Sequence, residues 1–381
     1  MTTKKEKNSA VIETFPEFTV LDQLGLYTWN PGQNSNEFLK SHSSVTLMDI
    51  ISRLQIDGNK PNITDVNTLF EKLKIGDGKV ASLKLSDIRL PIKFSSSLPA
   101  QMYPNKFPNE GGYIVPLFVA VQRGVVLEDI DFVLGGSSLE FLAHKKTPDE
   151  GAVYLTQRVR NVVLLTKYKE YIQNFADVGF QFERLVSGQR IDDIHDLAKN
   201  ENLQIMKIGD FKVLFSAEVD VNDEHGRCVE VKSGNPRYFG TKVMFQMVSS
   251  GSDTLVQADK RGMTLVGIKK RSLNELINEH PKSLLFEMQR NIINGLTELK
   301  SKFSEILEEI PSEVGFHHTM TLTKRSDISI LPNKEVVNEL LVAAVSKLNS
   351  NSGEKKKEDK KEDKKEDKKD KDDKDDKEEE S

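Results

Sequence analysis

The chain of 381 residues contains a single cysteine and a single tryptophan, and it has no long apolar run. One cysteine excludes an intrachain disulfide and a cysteine-based metal site. No window approaches the roughly 20 apolar residues of a membrane span. The opening residues, MTTKKEKNSA, lead into no apolar segment of the kind that begins a secretory signal. We therefore expect an intracellular protein, of the nucleus, the cytoplasm or both, without a membrane segment.

A large excess of charge of one sign is also lacking, since the formal net charge is −5. Residues 354–381 hold 12 lysines and 15 acids, with KKED three times in succession from Lys356. Acids break up the lysine runs, and no apolar residue could offset the entropy of ordering, so we predict a disordered, solvated tail over 351–381. The remainder is close to neutral, which confines any nucleic-acid site to a local patch.

The body of the chain, residues 11–350, shows no clear boundary and is predicted to form one domain after a flexible N-terminus at 1–10. Its patterns predict an α+β fold of mixed, largely antiparallel sheets flanked by helices. Strands are expected at 113–121, 128–134, 152–158, 161–166, 213–221, 229–232, 254–258, 263–269, 318–323 and 327–331. Helices are expected at 66–73, at 166–186, from Pro281 to Pro311 and, capped by Asn333, at 336–348; the segment 239–249 is ambiguous and could be helical.

The stretch VLFSAEVDVNDEHGRCVEVKSG, residues 213–234, carries charged residues inside an alternating apolar pattern. Period two on both sides of the turn NDEHG predicts a hairpin. Residues two apart share a strand face, so Glu218 lies with Asp220 and Glu230 lies with Lys232, and a short turn makes the two faces coincide. Three close carboxylates repel unless a cation lies between them. Oxygen ligands suit Mg²⁺ or Mn²⁺, which activate water for attack on a phosphate.

The alternative interpretation of this stretch is a solvent-facing hairpin with cross-strand ion pairs. Two residues elsewhere extend the charged set. Glu183, in GFQFE, follows Phe182 at the border of an apolar helical stripe, where it either faces a site or lies at the surface. Gln246 is a polar residue inside KVMFQMV, and its amide needs a partner from a substrate or from the backbone.

Taken in order, these pieces resemble the motifs of the decapping and exoribonuclease family of the DXO and Rai type. They are GFQFE at 179–183, AEVD at 217–220, EVK at 230–232, and Lys242 followed by Gln246. The resemblance implies a fold related to the acid-pair, Glu-x-Lys nucleases. It also implies metal-dependent hydrolysis at RNA 5′ ends: removal of incomplete or NAD-type caps or of pyrophosphate, with 5′-to-3′ degradation of the RNA body as a further activity.

The same resemblance implies roles for individual residues. The metal ligands would be Glu183, Glu218, Asp220, Glu230 and the backbone carbonyl of Val231. Lys232 and Gln246 would contact the scissile phosphate or the nucleophilic water. The cofactor would be Mg²⁺ or Mn²⁺.

The sequence departs from the family pattern at three places. Gly136 stands where the family carries an arginine that grips RNA phosphates, Ala217 replaces a glycine, and Met244 with Phe245 replaces paired tryptophans. These departures leave two other hypotheses open. One is a non-catalytic relative that binds RNA ends or a nuclease partner as a regulator, and the other is a DNA nuclease with the same ligands.

Other chemically capable residues are predicted to have structural or surface roles. We expect Trp29 and Cys228 to pack and His225 to be a solvated turn residue. His317 and His318 adjoin each other with no acid or nucleophile at a recognisable spacing.

Overall fold

The computed structural model describes the chain in thirteen segments. They are residues 15–29, 75–97, 100–102, 115–126, 129–144, 153–159, 162–168, 172–174, 177–190, 199–234, 236–306, 318–322 and 328–332. The strands are β1 (Phe18–Trp29), β2 (Ile75–Asp77), β3 (Ile92–Lys93), β4 (Ala100–Met102), β5 (Phe132–Leu134), β6 (Val153–Val159), β7 (Val162–Tyr168), β8 (Ile172–Asn174), β9 (Lys199–Ile208), β10 (Phe211–Glu218), β11 (Val221–Asn222), β12 (Cys228–Lys232), β13 (Thr254–Arg261), β14 (Thr264–Ser272), β15 (His318–Leu322) and β16 (Ile328–Pro332). The helices are α1 (Val115–Gln122), α2 (Gly136–His144), α3 (Val178–Ser187), α4 (Pro236–Ser250), α5 (Leu273–Asn278) and α6 (Lys282–Ile306).

The larger sheet has nine strands in the order β16-β15-β6-β7-β5-β10-β9-β1-β2. Most neighbours are antiparallel, whereas β5 runs parallel to both β7 and β10. The alternation of side chains along β10 gives it two apolar faces: Val213 and Phe215 belong to one core and Leu214 to the other. A sheet that is buried on both faces needs a helical layer on each side.

The second sheet has five strands in the order β11-β12-β13-β14-β3. Its central pair, β12 and β13, is parallel, and the chain between them forms α4. Two parallel strands need a crossover connection of about a dozen residues or more, and α4 provides it. The sheet is therefore mixed, with antiparallel pairs on both sides of the parallel one.

Three apolar cores hold these layers together. The first lies between the nine-stranded sheet and helices α2, α4 and α6, and the second covers the opposite face of that sheet with α1. The third packs α3 against the five-stranded sheet. Two largely antiparallel sheets flanked by helices confirm the fold class predicted from the sequence.

The predicted strand at 113–121 is wrong, because this segment forms the helix α1. Its residues from Val115 to Val121 are all buried. An apolar run of this length, when buried on all sides, has no periodicity that separates a strand from a helix.

The predicted helix at 166–186 is wrong over its first part. Strand β7 continues to Tyr168 and β8 follows at Ile172–Asn174, so the helix α3 begins only at Val178. Asp177 caps it by accepting a hydrogen bond from the Gly179 N–H at 2.6 Å. Tyr168 and Ile172, which continue the helical spacing before this cap, belong to β7 and β8.

Other predicted elements agree with the structure to within a few residues. Strands β6, β7, β13, β14, β15 and β16 and the long helix α6 lie where they were expected, although the strand predicted at 128–134 is reduced to β5. The ambiguous segment 239–249 is part of α4, which kinks at Gly240 (φ 44°, ψ −144°). The helices predicted at 66–73 and 336–348, the cap at Asn333, and the segments 1–10 and 351–381 lie outside the described residues.

Candidate active site

The charged stretch at 213–234 is divided between the two sheets, so the prediction that it forms one hairpin of two long strands is wrong. Strand β10 ends at Glu218 in the nine-stranded sheet, where it pairs with β9 and β5. The turn NDEHG joins only β11 to β12, with Val221 opposite Val229 in the five-stranded sheet. Glu218 and Asp220 therefore do not share a strand face. Asp220 lies in the connection by which the chain crosses from one sheet to the other.

Asp220 fixes this crossing to β12. Its Oδ2 accepts a hydrogen bond from the Val231 N–H at 2.7 Å. The side chain of Asp220 is only 13% exposed. This hydrogen bond between Asp220 and β12 holds the end of β10 close to Glu230 and Lys232.

Lys232 lies among several oxygen atoms at this edge. Its Nζ donates a hydrogen bond to the Val231 carbonyl at 3.0 Å and forms an ion pair with Glu230. Its distance to Asp220 Oδ2 is 3.7 Å. The ammonium thus contacts the backbone carbonyl and two carboxylates that the family resemblance assigns to a metal ion.

Burial raises the pKa of each carboxyl group that faces this ammonium. Glu230 is 4% exposed, and burial raises its pKa to about 7. The charges of Asp220 and Glu218 also raise this pKa, whereas Lys232 lowers it. The pKa of Asp220 is raised by burial, although Lys232 and the Val231 N–H oppose the rise. The pKa of Glu183 is raised well above its usual range by burial and then by the charge of Asp220.

The pKa of Lys232 is also raised, because the charges of Asp220, Glu230 and Glu183 favour the ammonium more than burial disfavours it. The two raised pKa values have different leading causes: burial raises the pKa of Glu230, whereas the charges of the carboxyl groups raise the pKa of Lys232 against burial. Three carboxyl groups share one positive charge, so the ammonium is strongly favoured while each carboxylate is poorly compensated. The site carries an excess of negative charge.

Glu183 reaches this cluster from α3. Phe182, its neighbour in the chain, is fully buried in the core between α3 and the five-stranded sheet. Glu183 stands at the edge of that packed face, close enough for Asp220 and Lys232 to act on its charge. Glu218 is exposed at the end of β10 and contributes repulsion to the other three carboxyl groups.

Gln246 lies on α4, and its Oε1 is buried without a hydrogen-bond partner among the described residues. The chain of α2 passes beside it at Gly136. A Cβ atom on Gly136 would lie 3.2 Å from the Gln246 Cα and would collide with Ser249 Oγ. Because of this close packing, the position where the resemblance expects an arginine has no room for a side chain.

The donor set suits a hard divalent cation, since it consists of carboxylates and one backbone carbonyl. The Lys232 ammonium contacts two of these donors, the Val231 carbonyl and Glu230. In this conformation, no three carboxylate, histidine or cysteine side chains of the described segments are arranged to share one ion. The chemistry of these residues fits a hard divalent cation.

Comparison with known proteins gives three kinds of result. No protein-family model and no curated protein sequence matches the chain. Among solved structures, Rai1 of S. pombe is 14% identical, with 65% of this chain and 88% of that chain covered and a TM-score of 0.45. Rai1 of Candida albicans in complex with pU5-Mn²⁺ is 11% identical (69% and 86% covered, TM-score 0.47). Dxo1 of K. lactis in complex with manganese is 13% identical (59% and 72% covered, TM-score 0.40). Rai1 and Dxo1 are proteins of the family that the four motifs resemble.

Sequence reasoning missed Gln257, a second buried amide beside the cluster. It is 2% exposed, and its Oε1 has no partner within the described part of the chain. In the parallel pairing of β12 with β13, Gln257 is in register with Lys232, so both side chains point to the same face. The signal in the sequence was a polar residue, Gln257, within the apolar run LVQA. That Gln257 lies beside Lys232 follows only from the register of β12 and β13.

The remaining chemically capable residues that the structure describes lie either in the core or at the surface. Trp29 is buried and donates from Nε1 to Glu201 Oε1 at 3.3 Å. Cys228 is buried, and His225 is exposed in the turn. His318 begins β15, whereas His317 lies outside the described residues. Among the residues that the structure describes, no helix is both long and apolar enough to cross a membrane.

Proposed function

We propose that this protein is a divalent-metal-dependent hydrolase that acts on the 5′ ends of RNA. The reactions we propose are the removal of incomplete or NAD-type caps or of pyrophosphate, followed by 5′-to-3′ trimming of the RNA body. RNA as the substrate comes from the order of the four motifs. Metal-dependent hydrolysis comes from the chemistry of the cluster.

The observation that carries the proposal is the uncompensated charge around Lys232. Glu183, Asp220 and Glu230 are brought from α3, the sheet crossing and β12 to one ammonium, and the pKa of all three carboxyl groups is raised. Burying several carboxylates around one lysine costs stability. A structural ion pair would need one carboxylate, so this arrangement favours a site that receives further positive charge.

The metal would be held by Glu183, Glu218, Asp220, Glu230 and the Val231 carbonyl. When bound, Mg²⁺ or Mn²⁺ would lower the pKa of a water molecule and offset the charge of the phosphate. Lys232 would then be released from Val231 to orient the attacking water or to contact a phosphate oxygen. Gln246 would offer its amide group to the phosphate or to the ribose of the same nucleotide.

The test is the release of 5′ products from short RNAs that end in NAD, triphosphate, monophosphate or an unmethylated cap, with Mn²⁺ or Mg²⁺. Wild type is compared with Glu230→Gln, which keeps the shape of the side chain. The matched control is Glu224→Gln, in the exposed turn of the same stretch, where the side chain is 86% exposed. We expect metal-dependent turnover in wild type and in the control, and a loss of at least about a hundredfold in Glu230→Gln.

Absence of turnover on every 5′ end would reject the hydrolase. Equal turnover in Glu230→Gln and wild type would reject this cluster as its centre. Running DNA with the same 5′ end in parallel separates an RNA enzyme from a DNA nuclease.

A second candidate is a non-catalytic protein that binds RNA ends or a nuclease partner. Two observations favour it: Lys232 already contacts Val231 and Glu230, and the packing at Gly136 leaves no space for the arginine of the family pattern. This candidate predicts that RNA binding is unaffected by a chelator. Under the first proposal, tight Mn²⁺ binding depends on Glu230.

A further inference from the structure

The polar row that begins at Lys232 continues across the five-stranded sheet. Lys232 of β12 is in register with Gln257 of β13, and Gln257 is in register with Lys269 of β14. Residues in register point to the same face of a sheet, and neighbouring strands are about 4.8 Å apart. Gln257 therefore stands between two lysines, each within reach of its side-chain amide.

The amide oxygen of Gln257 is unused. Gln257 is 2% exposed, and its Oε1 has no hydrogen-bond partner in the segments that the structure describes. A buried acceptor without a donor costs free energy. A neighbouring side chain can supply that donor without any path from solvent, and the register offers a lysine on either side.

Lys232 has three N–H donors to place. It donates to the Val231 carbonyl at 3.0 Å and pairs with Glu230. Asp220 Oδ2 lies at 3.7 Å, beyond ordinary hydrogen-bond length. The two groups that Lys232 contacts most closely thus both belong to the proposed metal ligands.

Lys232 would lose these two contacts when a divalent cation is bound at the Val231 carbonyl and Glu230. Asp220 offers no replacement, because it is a proposed ligand of the same cation. A buried ammonium without acceptors is costly, and this cost would weaken binding of the cation. The site therefore needs an acceptor that Lys232 can reach and that is not itself a ligand.

The alternatives to the pair of Lys232 and Gln257 are weaker. Lys269 has a side chain that is 63% exposed, and its Nζ lies 3.8 Å from Asp259 Oδ2, so solvent and a carboxylate already compensate it. The Oε1 of Gln246 is also unpaired among the described residues, but Gln246 lies on α4 and no strand register places it beside Lys232.

We propose that Gln257 Oε1 accepts a hydrogen bond from the Lys232 ammonium when the metal site is filled. Gln257 is then a positioning residue, since it acts on the site through Lys232. The proposal rests on the metal site of the proposed function, but it requires neither RNA nor turnover.

The test is Mn²⁺ binding to the full-length protein without RNA, followed by the electron paramagnetic resonance signal of free Mn²⁺. Wild type is compared with Gln257→Met, Lys232→Met and the double variant. Methionine is close to glutamine in volume and removes the carbonyl acceptor. Gln257→Met should weaken Mn²⁺ binding roughly ten- to a hundredfold, the loss expected for a hydrogen bond to a charged group. In the Lys232→Met background it should have no effect, because the donor is already gone.

Lys269→Met, on the other side of Gln257, is the matched control. It should bind Mn²⁺ as wild type does, and the effect of Gln257→Met should persist in its background. The melting temperature with a chelator is a second measure. Gln257→Met should match or exceed wild type there, because it removes an unpaired acceptor. If Lys232→Met does not fold, the structure of Mn²⁺-bound wild type replaces it, with Nζ expected within about 3.2 Å of Gln257 Oε1.

Equal Mn²⁺ affinity in Gln257→Met and wild type would overturn the proposal, and so would an equal loss with and without Lys232. A lower melting temperature of Gln257→Met in the chelator would also overturn it, because the amide would then be bonded before any metal arrives.

The same measurements separate this proposal from the proposed function. Coupling between Gln257 and Lys232, together with no turnover on any RNA end, would support the role of Gln257 while rejecting the hydrolase. Turnover and Mn²⁺ binding that depend on Glu230, without this coupling, would reject only the role of Gln257. Absence of Mn²⁺ binding that depends on Glu230 would reject both.

Discussion

Replacing Glu230 by glutamine should stabilise the metal-free protein at neutral and alkaline pH. The folded-state pKa of this carboxyl group is about 7, against an ordinary value of 4.5. Between these two values the folded chain binds more protons than the unfolded chain, so the free energy of unfolding falls as the pH rises. A difference of about 2.5 pKa units corresponds to about 3 kcal/mol, and this loss is complete above about pH 7.

The assay is urea unfolding of wild type and Glu230→Gln at pH 5, 6, 7 and 8 with a chelator. The variant should gain on wild type with rising pH, and most of the roughly 3 kcal/mol should appear by pH 8. The exposed Glu224→Gln should track wild type. A stability difference between Glu230→Gln and wild type that stays constant from pH 5 to 8 would refute the argument from buried charge.

Three further predictions concern neighbouring features. With a chelator present, Lys232→Met should destabilise the protein by about 3–5 kcal/mol, because the buried carboxylates lose their ammonium. Mn²⁺ should raise the melting temperature of this variant more than that of wild type, and an equal rise would contradict the prediction. Burial would raise the pKa of Asp223, but hydrogen bonds from Arg227 and His225 lower it. Asp223→Ala should therefore cost roughly 1–3 kcal/mol at pH 7, a difference that must shrink in unfolding curves as the pH falls through the lowered pKa. Gly136→Ala should cost about 1–3 kcal/mol through overpacking against Ser249 and the Gln246 backbone; unchanged denaturation would show that α2 and α4 separate easily.

The sequence predicts the fold class and the strands β5–β7, β10 and β12–β16 from alternating or apolar runs, but it does not predict β1 (Phe18–Trp29) or β9 (Lys199–Ile208). It fails where the environment is uniform. The segment that forms α1 is apolar throughout, and only its position on the second face of the large sheet makes it a helix. The first half of the helix predicted at 166–186 fails for another reason: β7 and β8 carry apolar residues at spacings that a helix would also allow.

At the site, the sequence predicts the residues but not the route by which they meet. Alternation along 213–221 shows two faces, yet it cannot show that β10 and β12 belong to different sheets. The hydrogen bond from Val231 to Asp220 makes the junction, and it joins residues eleven positions apart across that crossing. Gln257 was missed for a related reason, since a buried amide becomes informative only when its unpaired oxygen and its neighbours are known.

The count of charges at Lys232 links stability to function. When Glu183, Asp220 and Glu230 are ionised, one ammonium leaves two negative charges uncompensated among these four groups, before the charge of Glu218 is counted. Protons can supply that compensation, and the raised pKa values mean that in the metal-free protein they do so in part. A divalent ion would have to displace those protons and move Lys232 off Val231, so binding should release protons and become tighter as the pH rises. A purely structural lysine–carboxylate cluster would not couple metal binding to proton release. The pH dependence of Mn²⁺ binding therefore distinguishes a metal site from a structural ion-pair cluster.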